Sequence, residues 1–148
     1  LLPDVSTSSS LGLSETSSHI EEIGVVSGFE KTELLTNTDI LVLPSYSEGF
    51  PMSILEAMAA RTVIIATPVG AISEILDQGK CGRIVPIGTP KAIAAAILEL
   101  VERPDVRREL AEAAGNKARS CYDLSKVTND LLTYLEVAGG VIQPSDHA

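Results

Sequence analysis

Residues 40–56, ILVLPSYSEGFPMSILE, decide the fold of this chain. The apolar run over residues 40–44 stops at a proline, which predicts a strand buried on both faces. Pro51 suits the start of a helix, and we expect that helix to extend to about Ala60. A strand that leads through a polar loop into a helix is typical of βαβ units.

The same alternation continues on both sides of this unit. A helix is predicted over Glu30–Thr36, with Leu34 and Leu35 facing inward. Further short strands are predicted at 23–26, 62–66 and 83–86, and further helices at 72–76, 90–102, 105–120 and 124–138. The pattern predicts an α/β fold with a Rossmann-like, doubly wound parallel sheet. The sheet is expected to be partial, because complete domains of this kind usually have about five or six strands.

Composition restricts the classes of function. The chain has 148 residues, of which 45% are hydrophobic, so one domain with a real core is expected. A formal net charge of −9 argues against a nucleic-acid-binding scaffold. No apolar run reaches the length of a membrane span and no signal peptide is visible, which favours a cytoplasmic location. Cys81 and Cys121 lie outside any Cys/His cluster, so we expect free thiols, no metal and no cofactor.

The chain divides into three parts by composition. Residues 1–20 are rich in serine and are expected to be flexible. Residues 21–138 carry the strand and helix patterns and form the predicted domain. Residues 139–148 begin with two glycines that end the last helix, and they are expected to form a disordered tail.

The helix after Pro51 offers a predicted anion site. Its first-turn amides have no acceptor within the helix, and the helix dipole favours negative charge there. A diphosphate at this end would leave a ribose roughly 5 Å along the helix, within reach of Glu56. Glu48 precedes the helix and could accept hydroxyls of the group that the diphosphate carries. Two glutamates at this spacing also arise by chance, as solvated charges of a loop and a helix.

Three longer strings carry a family resemblance. The string LVLPSYSEGFPMSILEAMA (41–59) resembles the E-x7-E region of family-4 glycosyltransferases, with Glu48 and Glu56 as its acids. VIIATPVGAISEIL (63–76) is similar to the strand, glycine loop and helix of that family. CGRIVPIGTPKAIAAAILELVERPDVRRELAEAAGNKA (81–118) is similar to its C-terminal run. Together the resemblance covers about residues 27–138.

The resemblance implies a GT-B fold, in which two Rossmann-like domains enclose a cleft. The chain would be most of the C-terminal domain, which binds a UDP-, GDP- or ADP-sugar. Transfer of a hexosyl group to a glycan or lipid-linked acceptor would retain the anomeric configuration, without a metal. Glu48 would be the catalytic residue, as the group that positions the hexose, and Glu56 would bind the ribose. The implied donor-binding residues are Glu48, Gly49, Phe50, Met52, Ser53, Ile54, Glu56 and Gly70.

The sequence also departs from the family pattern. No counterpart is visible for the Arg and Lys that clamp the diphosphate, and by the resemblance the given sequence would lack the first strand–helix unit and the acceptor-binding N-terminal domain. Arg61 stands where the family usually has glycine, and we expect its side chain to point to solvent. The isolated chain is therefore expected to show little transfer activity, and the full protein would associate peripherally with a membrane if its acceptor is a lipid.

Two other hypotheses stay open. One is a truncated relative that binds a nucleotide or a partner without catalysis. The other is a flavodoxin-like regulatory domain, which does not explain the loop of residues 44–51. The last helix would contact the missing domain in the family, so its apolar side chains are expected to be partly exposed or to pair with another copy.

Overall fold

A computed structural model of the chain describes residues 20–138. It contains a three-stranded parallel sheet formed by β1 (Ile40–Leu43), β2 (Val63–Ala66) and β3 (Arg83–Ile84), in that spatial order. The predicted α/β fold with a partial, Rossmann-like parallel sheet is thereby confirmed. Of the segment predicted to be flexible (1–20), residues 1–19 lie outside the described residues, as does the predicted disordered tail (139–148).

Helices connect the strands and cover the sheet. In the described part of the chain they are α1 (Gly28–Thr36), α2 (Met52–Ala60), α3 (Ile72–Ile75), α4 (Pro90–Glu102), α5 (Pro104–Cys121) and α6 (Leu124–Ala138). Asp123 Oδ1 accepts hydrogen bonds from the amides of Ser125 and Lys126 at 3.0 and 3.3 Å, so Asp123 caps α6. None of these helices combines the length and apolar character that a membrane span needs.

The core lies on both faces of the central strand β2. Ile64 and Ala66 pack on one face with residues of α2, α3 and α5. Val63 and Ile65 pack on the other face with residues of α4 and α5. All four β2 residues are buried, as expected for a strand covered on both sides.

Several sequence predictions differ from the structure. β1 is half-buried along its whole length, because among the described strands only β2 pairs with it. Residues 23–26 form no strand: Gly24 has a φ of +66° and Val25 is fully exposed. On α1, Leu35 packs against the core as predicted, whereas Leu34 is 38% exposed.

Candidate functional site

Three loops meet at the edge of the sheet where the parallel strands end. They are residues 44–51 after β1, 67–71 after β2 and 85–89 after β3. A methyl group built on Gly88 would lie 3.6 Å from the Tyr46 hydroxyl, so the first and third loops are adjacent. In open α/β sheets this edge is where ligands bind.

The second loop packs directly against the first through Gly70. Gly70 has a φ of +55°, and a methyl group built on it would clash with the Glu48 carbonyl oxygen and lie 2.5 Å from that of Gly49. Both the backbone conformation and the contact require glycine here. Gly70 thus packs against the Glu48 and Gly49 carbonyl groups and supports that part of the loop.

Hydrogen bonds fix the same loop. The buried Thr67 hydroxyl donates to the Ser45 carbonyl, and the Ala71 amide donates to the Gly49 carbonyl at 3.0 Å. Sequence reasoning did not assign Ser45 or Thr67 to the site. The sequence signal that could have identified Thr67 is its position directly after the apolar strand, because a buried hydroxyl there needs a hydrogen-bond partner.

Glu48 lies half-buried within this anchored loop. The Ser45 hydroxyl donates to Glu48 Oε1 at 2.6 Å. A hydroxyl-held oxygen fixes the direction of the carboxylate, and its remaining lone pairs can accept further hydroxyl donors. The arrangement suits recognition of a polyhydroxylated group.

The amino end of α2 follows Glu48 without a side-chain cap. Pro51 is the N-cap and makes no capping hydrogen bond, while Met52 and Ser53 are exposed. The amides of Met52 and Ser53 belong to the first turn, which has no acceptor within the helix. They are therefore available to an anion.

Two residues of the predicted donor set have side chains that pack against other parts of the domain. The Ile54 side chain is fully buried in the core, and its amide donates to the Pro51 carbonyl at 3.2 Å. Ile54 therefore supports the helix and has no group free for a ligand. The Phe50 ring packs edge-on against Tyr122, with 6.2 Å between the ring centroids, and Phe50 is 52% exposed, so its backbone amide stays a predicted donor ligand.

Glu56 lies on α2 and forms an ion pair with α1. Lys31 Nζ donates to Glu56 Oε1 at 2.7 Å, and both side chains are about one-third exposed, at 38% and 35%. They line a cavity of about 330 Å³ between the two helices, together with Thr32, Leu35, Thr36, Ala59 and Ala60. Sequence reasoning missed Lys31, because the packing of α1 on α2 is not visible in local patterns.

The structure offers no obvious metal centre in its described part. Residues 20–138 contain no group of three or more His, Cys, Asp or Glu side chains placed to share an ion. Cys81 and Cys121 are both free thiols, the first buried and the second exposed. The chemistry that the site can offer is therefore amide donors, two carboxylates and the Lys31 ammonium.

Comparisons with known proteins agree with this architecture. The profile of a family described as glycosyl transferases group 1 matches residues 10–119. A phosphatidyl-myo-inositol mannosyltransferase of Mycobacterium tuberculosis is 32% identical over 126 residues, which cover 82% of this chain and 33% of the relative. The chain thus spans about a third of the length of such curated relatives.

Solved structures show the same fold. The C-terminal domain of a glycosyl transferase group 1 family protein from Francisella tularensis is 28% identical, with a TM-score of 0.62 over 69% of this chain and 53% of that one. Anabaena HepE, solved in complex with UDP, is 22% identical, with a TM-score of 0.67 over 71% of this chain and 29% of that one.

Proposed function

The chain belongs to the glycosyl transferases group 1 family, and from this we propose that it binds a nucleotide-sugar donor for hexosyl transfer. The donor would be a UDP-, GDP- or ADP-sugar. It would lie at the edge of the sheet where the three loops meet. The observation that carries the proposal is the uncapped amino end of α2 between Glu48 and Glu56.

The diphosphate would occupy the first turn of α2. The amides of Met52 and Ser53 face this position, and the exposed backbone of Gly49 and Phe50 lies next to it. Charge that develops on the leaving diphosphate would be stabilised by these fixed donors, which need no reorganisation during the reaction. Such a site would need no metal, and basic side chains from the rest of the protein would add to it.

The two acids would hold the sugars on either side. Glu48 is held by Ser45 and would accept hydroxyls of the hexose, so its part in catalysis is to position the transferred group. Glu56 would accept the ribose hydroxyls through the oxygen that Lys31 leaves free. On this proposal Glu48 and Glu56 would be the two acids of an E-x7-E motif, and transfer would retain the anomeric configuration as in family-4 enzymes.

The chain would supply only part of the transferase. It spans about a third of its mycobacterial relative, so the acceptor domain and the diphosphate-clamping Arg and Lys would lie in the remainder. The exposed α6 residues Val127, Leu131, Leu132 and Leu135 would contact that remainder. The isolated chain would then transfer little or no sugar. We propose a cytoplasmic location. The protein would associate with the membrane surface if its acceptor is a lipid, and the name of the mycobacterial relative indicates a lipid acceptor for that enzyme.

A second candidate function is nucleotide binding without transfer. The partial coverage favours it, because the chain spans 33% of its mycobacterial relative and all residues of the proposed donor site lie within this part. A product-release assay with a radiolabelled sugar nucleotide distinguishes the two functions in the full-length protein. Turnover supports transfer, whereas binding without turnover supports the second candidate.

The test of the donor site is a thermal-shift comparison. Glu56→Ala is compared with the parent chain and with Glu112→Ala, which removes an exposed carboxylate of α5. We expect UDP or GDP to raise the melting temperature of the parent and of Glu112→Ala, and to raise that of Glu56→Ala much less. An equal response in all three would remove Glu56 from its assigned role.

A further inference from the structure

A second cavity lies at the opposite edge of the sheet, where the strands begin. Its volume is about 380 Å³, and its lining includes Asp39 and Val63, which flank the starts of β1 and β2. Four residues of β2 separate this edge from the loops of the donor site, a distance of roughly 13 Å. The cavity is therefore distinct from the proposed donor site.

The lining of this cavity is rich in positively charged residues, although the whole chain is acidic. Arg61, Arg107 and Arg108 line it, with Asp39 as the one carboxylate in the lining. The chain as a whole has a formal net charge of −9. The cavity lining thus carries three arginines and one acid, and an anion would offset the excess positive charge.

Arg107 is only partly satisfied by the protein. Its Nη2 lies 3.6 Å from Asp39 Oδ1, a loose ion pair, and its Nη1 donates to the Leu100 carbonyl at 3.3 Å. For the side chains of Arg61 and Arg108 we find neither an ion pair nor a hydrogen bond to any residue in the described range. Each guanidinium has five N–H donors, so much donor capacity remains.

Two features around Arg61 are locally unfavourable for stability. Arg61 follows α2 with φ +61° and ψ +31°, a left-handed conformation that side chains other than glycine adopt rarely. Gly115 lies inside α5, and a methyl group built there would come within 2.8 Å of Arg61 Cγ. A glycine inside a helix is unfavourable relative to alanine. Gly115 leaves room for the Arg61 stem beside α5, and Arg61 remains exposed to solvent, as expected from the sequence.

We propose that this cavity binds a phosphate group, either free or as a phosphomonoester. Planar guanidinium forks match the oxygens of a phosphate dianion and can donate in pairs. The volume leaves room for a small organic group beside the phosphate. The carboxyl end of α2 attracts the Arg61 charge as well, but that attraction does not account for Arg108.

The test is an NMR titration of the full chain with inorganic phosphate at low salt, followed by glycerol 3-phosphate. We expect amide shifts around Arg61, Val63, Arg107 and Arg108 that do not depend on Glu56, and any shifts at the start of α2 report the separate donor site. Arg61→Gly keeps the left-handed backbone conformation, and Arg108→Gln keeps the helix, so both variants should fold. Each should raise the dissociation constant for phosphate about tenfold. Arg119→Gln removes the same charge elsewhere on α5 and should leave it unchanged.

Vesicles distinguish the sources of the phosphate. Flotation with phosphatidate vesicles that is lost in Arg61→Gly identifies a lipid headgroup, and titration without flotation identifies a soluble ligand. The proposal is overturned if the parent, Arg61→Gly and Arg108→Gln bind phosphate with equal affinity and flotation does not depend on Arg61. It is also overturned if the parent shows neither phosphate binding nor flotation. Glu56→Ala leaves this site intact, so failure here is distinguishable from failure of the proposed donor site.

Discussion

Gly70 and Glu48 are in direct backbone contact, and no side chain fits between them. A methyl group on Gly70 would overlap the Glu48 carbonyl, and the positive φ of Gly70 already disfavours other residues. We expect Gly70→Ala to lower the free energy of unfolding by at least about 2 kcal/mol and to weaken UDP or GDP binding, because the Glu48 loop must move.

Gly79→Ala is the matched control in urea unfolding experiments. Gly79 also has a positive φ, of +98°, but a methyl group built there meets no heavy atom within 4 Å. It should therefore show the cost of the backbone conformation without the clash and without an effect on nucleotide binding. Equal losses of stability in the two variants would contradict the role of the Gly70–Glu48 contact.

Thr67 anchors the Glu48 loop at one end of β2, and Thr62 makes a similar bond at the other end. Thr67 Oγ1 donates to the Ser45 carbonyl, and Thr62 Oγ1 donates to the Leu35 carbonyl at 2.7 Å. Thr67→Val and Thr62→Val should each cost about 1–2 kcal/mol of stability, since a carbonyl loses its donor. Only Thr67→Val should also weaken UDP or GDP binding, measured by calorimetry. Equal binding losses in both variants would mean that the effect is general destabilisation.

The stability of the contact between β3 and α4 should depend on pH. Arg83 Nη2 lies 2.6 Å from Glu99 Oε1, and this hydrogen bond holds the pKa of Glu99 below its ordinary value. A lowered native pKa stabilises the fold above the unfolded pKa of about 4.3, and this stabilisation disappears as the pH falls through the native pKa. Because Glu99 is 38% exposed, solvent screening limits the gain to about 0.5 kcal/mol.

Glu99→Gln should therefore be destabilised at pH 7, and its difference from the parent should shrink in acid. Chemical unfolding at pH 7, 5 and 3 measures this. Glu102→Gln, on the exposed end of the same helix, should follow the parent at every pH. A difference between Glu99→Gln and the parent that persists unchanged at pH 3 would contradict the ionic origin of the effect.

The two thiols should differ strongly in reactivity. Burial raises the pKa of Cys81, and the positive charge of Lys117 offsets this only in part. Cys81 is 5% exposed, whereas Cys121 is exposed. With a thiol reagent at pH 8, one thiol of the native chain should react rapidly and the second only in denaturant, because reaction needs an accessible thiolate. Cys121→Ser should remove the rapid phase, and a rapid phase that survives would contradict the burial of Cys81.

The elements with strong local signals were predictable from sequence. The predicted helix at 90–102 matches α4, because its proline start and apolar spacing are local features. β3 is shorter than the predicted 83–86, and Pro86 lacks the amide that a longer ladder would use. Residues 23–26 show the limit, since an apolar run forms a strand only where a neighbouring strand accepts it.

The site was only partly predictable. The glutamates and the helix start are written in one continuous stretch, so their proximity follows from local structure. The contacts that fix them come from elsewhere: Thr67 is 22 positions from Ser45, and Lys31 is 25 positions from Glu56. These pairs depend on the register of β1 with β2 and on the packing of α1 on α2, which no local pattern specifies.

The fit of Gly115 against Arg61 restricts the order in which these two positions can change during evolution. A larger residue at position 115 meets the Arg61 stem, so Arg61 must shift or be replaced before that residue fits. A change of Arg61 to glycine meets no such obstacle and relieves its left-handed backbone. Substitution is thus easier in one direction, and a lineage that has lost the arginine and filled the space on α5 would not readily regain it.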